Sequence, residues 1–152
     1  MFLHHFISQF SNFVIYLIGY ALCFNSDCAL HDKCMHYHIG QLAPAEKTHG
    51  VAIYPSAWKS GQCCHFAKKE KVEFAWGFNG LYTNMSHDMR TAARMALRAH
   101  LGSGASAYYR IHNGEKLLSP ARQQEILNYM ARFGDKDSLR FDHYVTQYDF
   151  TT

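Results

Sequence analysis

From Val72 the hydrophobic pattern alternates strictly. Val72, Phe74, Trp76 and Phe78 point one way, and Glu73, Ala75, Gly77 and Asn79 the other. A period of two predicts a strand with one buried face. Asn79-Gly80 follows at once, a dipeptide that accepts the positive φ angles of a type I′ turn, so the chain is expected to return through LYTNM as a hairpin. At Ser86 the period changes. Met89, Ala93, Ala96, Leu97, His100 and Leu101 recur at helical spacing behind a capping serine, with Asp88 in the first turn, Arg94 and Arg98 further along and Gly102 as the stop. The pattern then recurs: AYYRIH is read as a strand, Asn113-Gly114 as a turn and EKLL as a short return strand. Ser119 and Pro120 then open a helix that buries Ile126, Leu127, Met130 and Phe133 and ends at Gly134. The Asn-Gly turns, cap serines and terminal glycines are offset by 34, 33 and 32 residues, so a hairpin-then-helix unit used twice is expected.

Upstream, GVAIY (50–54) reads as a strand stopped by Pro55. Residues 56–69 carry no clean period; a short helix after Ser56 fits, weakened by Gly61 and the Cys63-Cys64 pair. LRFDHYVTQYDF closes the chain as a last strand. The element order from residue 49 to 112 is that of an α+β, ferredoxin-like (split βαβ) antiparallel sheet with helices on one face, extended by the second hairpin-helix unit and the C-terminal strand. An aromatic second sheet face needs cover, and a symmetric homo-oligomer such as a trimer supplies it.

Composition sharpens this picture in two places. With 152 residues, 48% of them hydrophobic, one ordinary core is affordable; 18% charged residues is low for a freely soluble monomer and again favours self-association. The net charge of +3 comes from scattered basic residues, which argues against a nucleic-acid partner. The first 26 residues contain no Lys, Arg, Asp or Glu. That run is long enough to span a bilayer, yet His4, His5, Gln9 and Asn12 interrupt it and no basic residue precedes it. Residues 1–34 are therefore read as an extension (anchor, signal-like or dispensable, with membrane contact by residues 2–24) and 35–152 as a single domain, so that a chain starting at Met35 keeps its fold. Five cysteines, an odd number without a regular framework, indicate free thiols in a reducing compartment, hence the cytoplasm. Cys23, Cys28, Cys34, His36 and His38 cluster in sequence, but C-x4-C-x5-C lacks the close ligand pairs of a zinc knuckle, and no metal is expected. Cys63 and Cys64, adjacent on a strand, would face opposite ways.

Few residues suggest chemistry. Gly102-Ser103-Gly104 follows a helix, whereas a phosphate cradle must precede one. In His143-Tyr144-Val145-Thr146 the His and Thr do not share a strand face. Glu70, in KKEKVEF, stands at the mouth of the aromatic strand, where a solvated gatekeeper is the plain reading. HYHIGQLAPAEKTHGVAIY, KEKVEF, TAARMALRAHL and AYYRI, spanning roughly residues 36 to 111, resemble the small bacteriophage enzymes that degrade S-adenosylmethionine to blunt host restriction. That resemblance implies a lyase without cofactor, in which the substrate's own carboxylate displaces the sulfonium to give methylthioadenosine and homoserine lactone. Glu70 maps onto the family's functional glutamate, Lys69 standing where a second acid is expected; Tyr54, Trp58 and Trp76 would wall the sulfonium, at sites shared between subunits. Two other classes stay open: a non-enzymatic oligomeric module that binds a host protein through its aromatic sheet face, and a membrane-anchored accessory subunit.

Overall fold

The computed structural model describes residues 19–102 and 104–150, and the greater part of the apolar run, residues 1–18, lies outside them. It is a mixed helix and strand protein, as expected: among the described residues there are four α-helices and three sheets of two strands each. The described residues divide into two compact units, one of residues up to 71 with 148–150 and one within 72–147.

In the first unit, β1 (Leu22–Cys23) pairs in parallel with β2 (Ala52–Ile53), and α1 (Met35–Gln41) packs on β1. Its core is Leu22, Met35, Ile39 and Ala67, with Tyr20, Ala43, Tyr148 and Phe150 packed around it. Met35 N–H donates to Ala67 O at 2.7 Å and Lys69 N–H to Lys33 O at 2.8 Å, which binds the start of α1 to the segment that leads into the aromatic strand. Gly40 permits the closest approach: a Cβ there would lie 2.3 Å from the Cys23 carbonyl oxygen, so only glycine lets α1 rest on β1. GVAIY does contain a strand, β2, and it ends at Pro55 as expected. The segment after Ser56 is not a helix beyond the 3-10 turn Pro55–Ala57; it is a small antiparallel hairpin, β3 (Trp58–Lys59) and β4 (Gln62–Cys63). Ser60 and Gly61 supply the positive φ its turn demands, 51° and 80°. Residues 19–34, assigned by the sequence pattern to an extension, contribute Leu22 to this core and β1 to its sheet.

The second unit centres on Phe78, Leu97, Ile126 and Met130, all fully buried. The alternating run forms β5 (Lys71–Trp76), paired with β6 (His143–Tyr148), the expected last strand. Ser86 caps α2 (His87–Leu101), its Oγ accepting from Met89 N–H, and Gly102 ends that helix with φ 66°. Pro120 opens α4 (Pro120–Met130).

Three expectations fail here for tertiary reasons. LYTNM does not return as a strand. Asn79–Leu81 is a 3-10 turn because the Asp142 carboxylate accepts from Asn79 N–H at 3.0 Å, Asn79 Nδ2 at 2.9 Å and Gly80 N–H at 2.7 Å, and the positive φ falls on Gly77 instead. AYYRIH is not a strand but lies in α3 (Gly104–His112), which buries Tyr108 and Ile111 three residues apart while Tyr109 stays exposed. EKLL makes only an isolated antiparallel bridge, Leu118 to Ala75. The twofold hairpin-then-helix repeat is therefore absent: strand and 3-10 turn precede α2, and a helix precedes α4. The aromatic face is core, with Phe74 and Phe78 buried.

Two outcomes follow from this packing. Asp142→Ala, which frees three donors at once, is expected to cost about 2 kcal/mol of stability in urea denaturation, against under about 0.5 kcal/mol if the clamp is incidental. A chain starting at Met35, deprived of Leu22 and of β2's partner strand, is expected to lose the cooperative unfolding of the first unit; an unchanged thermal transition would contradict the packing assigned to β1.

Candidate functional site

The four residues singled out by sequence do not form one described cleft. Glu70 is half-buried, pairs with Lys68, and offers its carbonyl to Asp149 N–H at 3.1 Å. Tyr54, 74% exposed, immediately precedes Pro55, and Trp58 lies half-buried in the β3–β4 hairpin. All three belong to the first unit, whereas Trp76 belongs to the second, stacked on His143 with ring centroids 5.0 Å apart. Gly114, with φ 79°, passes so close to the Trp76 indole that a Cβ would lie 2.8 Å from Nε1.

Two concavities in the first unit and one in the second gather apolar, thiol or basic side chains. An open apolar cleft of about 250 Å³ lies beside β1 and β2, walled by Leu22, Phe24, Ala43 and Val51, with Lys47 and His49 also lining it. Phe24 and Val51 are each 58% exposed and line the same cleft, so they form a shared apolar patch. The second cleft of this unit is small and lined by Cys23, Cys28, Cys34 and Cys63, together with His31, His36 and His65. The spacing C-x4-C-x5-C spoke against a site at the first three of these cysteines because it lacks close ligand pairs; the fold adds Cys63 to the same cleft. Burial pushes the Cys63 thiol up, and Cys28 and Cys34 stand close enough to add to that shift. In the second unit, Arg90 and Arg94 of α2 line an open cleft with Asn79, Tyr82 and Thr83. Arg94 lies over the Tyr82 ring at 5.4 Å, and burial, with a hydrogen bond to Tyr108, pushes the Tyr82 hydroxyl far above its ordinary range.

Histidines tie the first unit together. His36 Nδ1–H donates to the Ala21 carbonyl at 2.6 Å, its ring stacked on Tyr20 at 4.5 Å, and burial holds its pKa below the ordinary value. His38 packs against Tyr148, and burial, with Lys69 and Lys71 nearby, likewise lowers its pKa. Burial also raises the Tyr20 hydroxyl to about 12, with Cys34 and Asp149 adding to it.

A folded pKa below the unfolded one means that the unfolded chain binds the proton more readily. Stability from His38 is thus fully present above its unfolded pKa of about 6.5 and lost as pH falls through the lower folded value. His38→Gln is expected to flatten the acid limb of the Tm against pH profile; an unchanged slope would contradict the assignment. Glu70→Gln, which breaks only a largely exposed ion pair, is expected to change stability by less than about 0.5 kcal/mol. A larger loss in urea denaturation would show that the carboxylate has a structural role.

No curated protein and no solved structure matches the chain. One family model does match, over residues 8–150, and carries the description "Family of unknown function (DUF6078)". Because that match spans nearly the whole sequence, the chain is a member of this family.

Proposed function

We propose that the protein is a non-enzymatic binding module whose first unit takes an extended, apolar segment of a partner protein along β1 and β2. The observation that carries this reading is the open cleft flanked by exposed Phe24 and Val51. Among the described residues β1 and β2 form a sheet of two strands, and a third would add at an edge of such a sheet. Strand addition of this kind draws affinity from main-chain hydrogen bonds and specificity from side-chain pockets beside the edge. A cleft of about 250 Å³, open to solvent, suits one or two apolar side chains of such a segment. Small-molecule sites are commonly about 300–1,000 Å³ and enclose most of the ligand. Lys47 and His49 at the cleft favour a carboxylate near the inserted side chain.

The lyase reading asks for Glu70 in a concave, water-excluding site with aromatic walls. Its support is the sequence resemblance, and the ferredoxin-like sheet with subunit-shared sites belongs to the same reading. Glu70 lies outside the clefts described above, and its carboxylate is engaged by Lys68.

One preparation separates the two. Full-length protein and its Val51→Asp and Phe24→Ser variants are used to capture partners from lysate of the native host, and the same samples are incubated with S-adenosylmethionine. The binding reading expects a protein enriched on the wild type and depleted at least about tenfold on both variants, the equivalent of about 1.4 kcal/mol, with the substrate left intact. Release of methylthioadenosine that Glu70→Gln abolishes would replace this reading with the lyase. Equal capture by all three proteins would remove the cleft from it.

A further inference from the structure

We propose that the small cleft lined by Cys23, Cys28, Cys34 and Cys63 binds a single thiophilic divalent cation of the zinc class through these four thiolates. Three observations converge on it. The first is composition: four of the chain's five cysteines line one cleft of the first unit, and the fifth, Cys64, is exposed and does not line it. Four thiols gathered from four separate elements is more than packing requires, since a buried cysteine packs as a small hydrophobe wherever it falls. All four are free, so none is consumed by a disulfide.

The second is size. The cleft encloses a void of about 20 Å³. One water-sized body needs about 10–15 Å³, so the space admits one atom-sized occupant and no metabolite. Thiolate ligands select soft or borderline ions, and a four-sulfur set suits tetrahedral zinc.

The third is the way the surrounding backbone is fixed. Cys34 is held by the bridge to Lys68 and precedes α1, whose first residue Met35 is bonded to Ala67. Cys23 lies on β1, opposite Ile53 of β2. Cys28 sits in a turn whose carbonyl accepts from both His31 N–H at 3.0 Å and His31 Nδ1–H at 2.7 Å. Cys63 ends the β3–β4 hairpin. Two of the cleft's three histidines therefore act as struts: His31 holds the Cys28 turn, and His36 Nδ1–H holds the Ala21 carbonyl two residues before Cys23.

As they stand, no three His, Cys, Asp or Glu side chains among the described residues are placed so that they could hold a metal ion, so the thiols must move to bind one. Neutral thiols have no force drawing them together, and each can be carried between staggered positions by rotation about a single bond. The ion supplies that force: as it binds, each thiol loses its proton to solvent, four in all, and the sulfurs close on the metal with overall charge 2−. The unit's small core gives a reason for such a staple, because a domain that buries little apolar surface gains folding energy from a structural metal.

The test uses the reduced full-length protein, purified without chelator. Mass spectrometry of metals is expected to find about one zinc per chain, and exchange for cobalt(II) to give the intense sulfur-to-metal charge-transfer band of a tetrahedral thiolate site. Cys63→Ser, on an exposed hairpin that the core does not need, is expected to lower metal affinity by at least about tenfold with the far-ultraviolet circular dichroism kept, while Cys64→Ser keeps both metal and band. Competition with a chelator of known affinity reads the change. A reduced wild type that takes up neither zinc nor cobalt overturns the proposal, as does a Cys63→Ser variant that binds like the wild type. Loss of the ion in His36→Gln with retention in Cys23→Ser would overturn the four-thiol set.

Discussion

Two backbone hydrogen bonds, Met35 N–H to Ala67 O and Lys69 N–H to Lys33 O, hold together segments more than thirty residues apart in sequence, and the first unit depends on them. They fix where α1 begins, and so which of its faces meets β1: Met35 and Ile39, one turn apart, turn inward onto Leu22. They also set Cys34 opposite Lys68, which draws the β3–β4 hairpin and Cys63 towards the loop that carries Cys28. With few large apolar residues in its core, this unit has little hydrophobic stabilisation to spare, so directional bonds and ligands weigh more in it than in the second unit.

The second unit is organised differently. Its core is continuous from β5 through α2, α3 and α4, and polar contacts serve to bend the chain between elements. Asp142 is the clearest case, one carboxylate setting a turn more than sixty residues upstream in sequence. Arg98 does comparable work between helices, donating to the Tyr109 hydroxyl and lying over the Tyr108 ring at 5.2 Å.

Elements with strong local signals were legible. Helix α2 announces itself through Ser86, Asp88 and Gly102, α4 through Ser119-Pro120, and β5 through its alternation. Both Asn-Gly pairs promised hairpins, but Asn79-Gly80 is captured by Asp142, and Gly114, at positive φ, closes the end of α3. AYYRIH carries aromatic and branched residues that favour a strand in isolation; packing Tyr108 and Ile111 on one side overrides that preference. Of the candidate site residues, Glu70 and Trp76 come from the run that leads into and forms β5, whereas Tyr54 stands exposed before Pro55 and Trp58 lies in the β3–β4 hairpin. Three members of the thiol cleft were visible in sequence as C-x4-C-x5-C, a spacing that spoke against a metal; the fourth, Cys63, joins them only in the fold, which no spacing rule reports. Neither the cleft at Phe24 and Val51 nor helix α1 was visible in the periodicity, since two-residue strands leave almost no pattern.

Hydrogen exchange resolved to single amides tests the central claim, that the ladder joining residues 33–35 to 67–69 is the first unit's structural hinge-pin. The Met35 and Lys69 amides are expected to be the slowest in that unit, protected at least about a hundredfold beyond the amides of Gly61 and Gln62 at the hairpin turn. Met35 and Lys69 amides that exchange as fast as that turn would contradict the account.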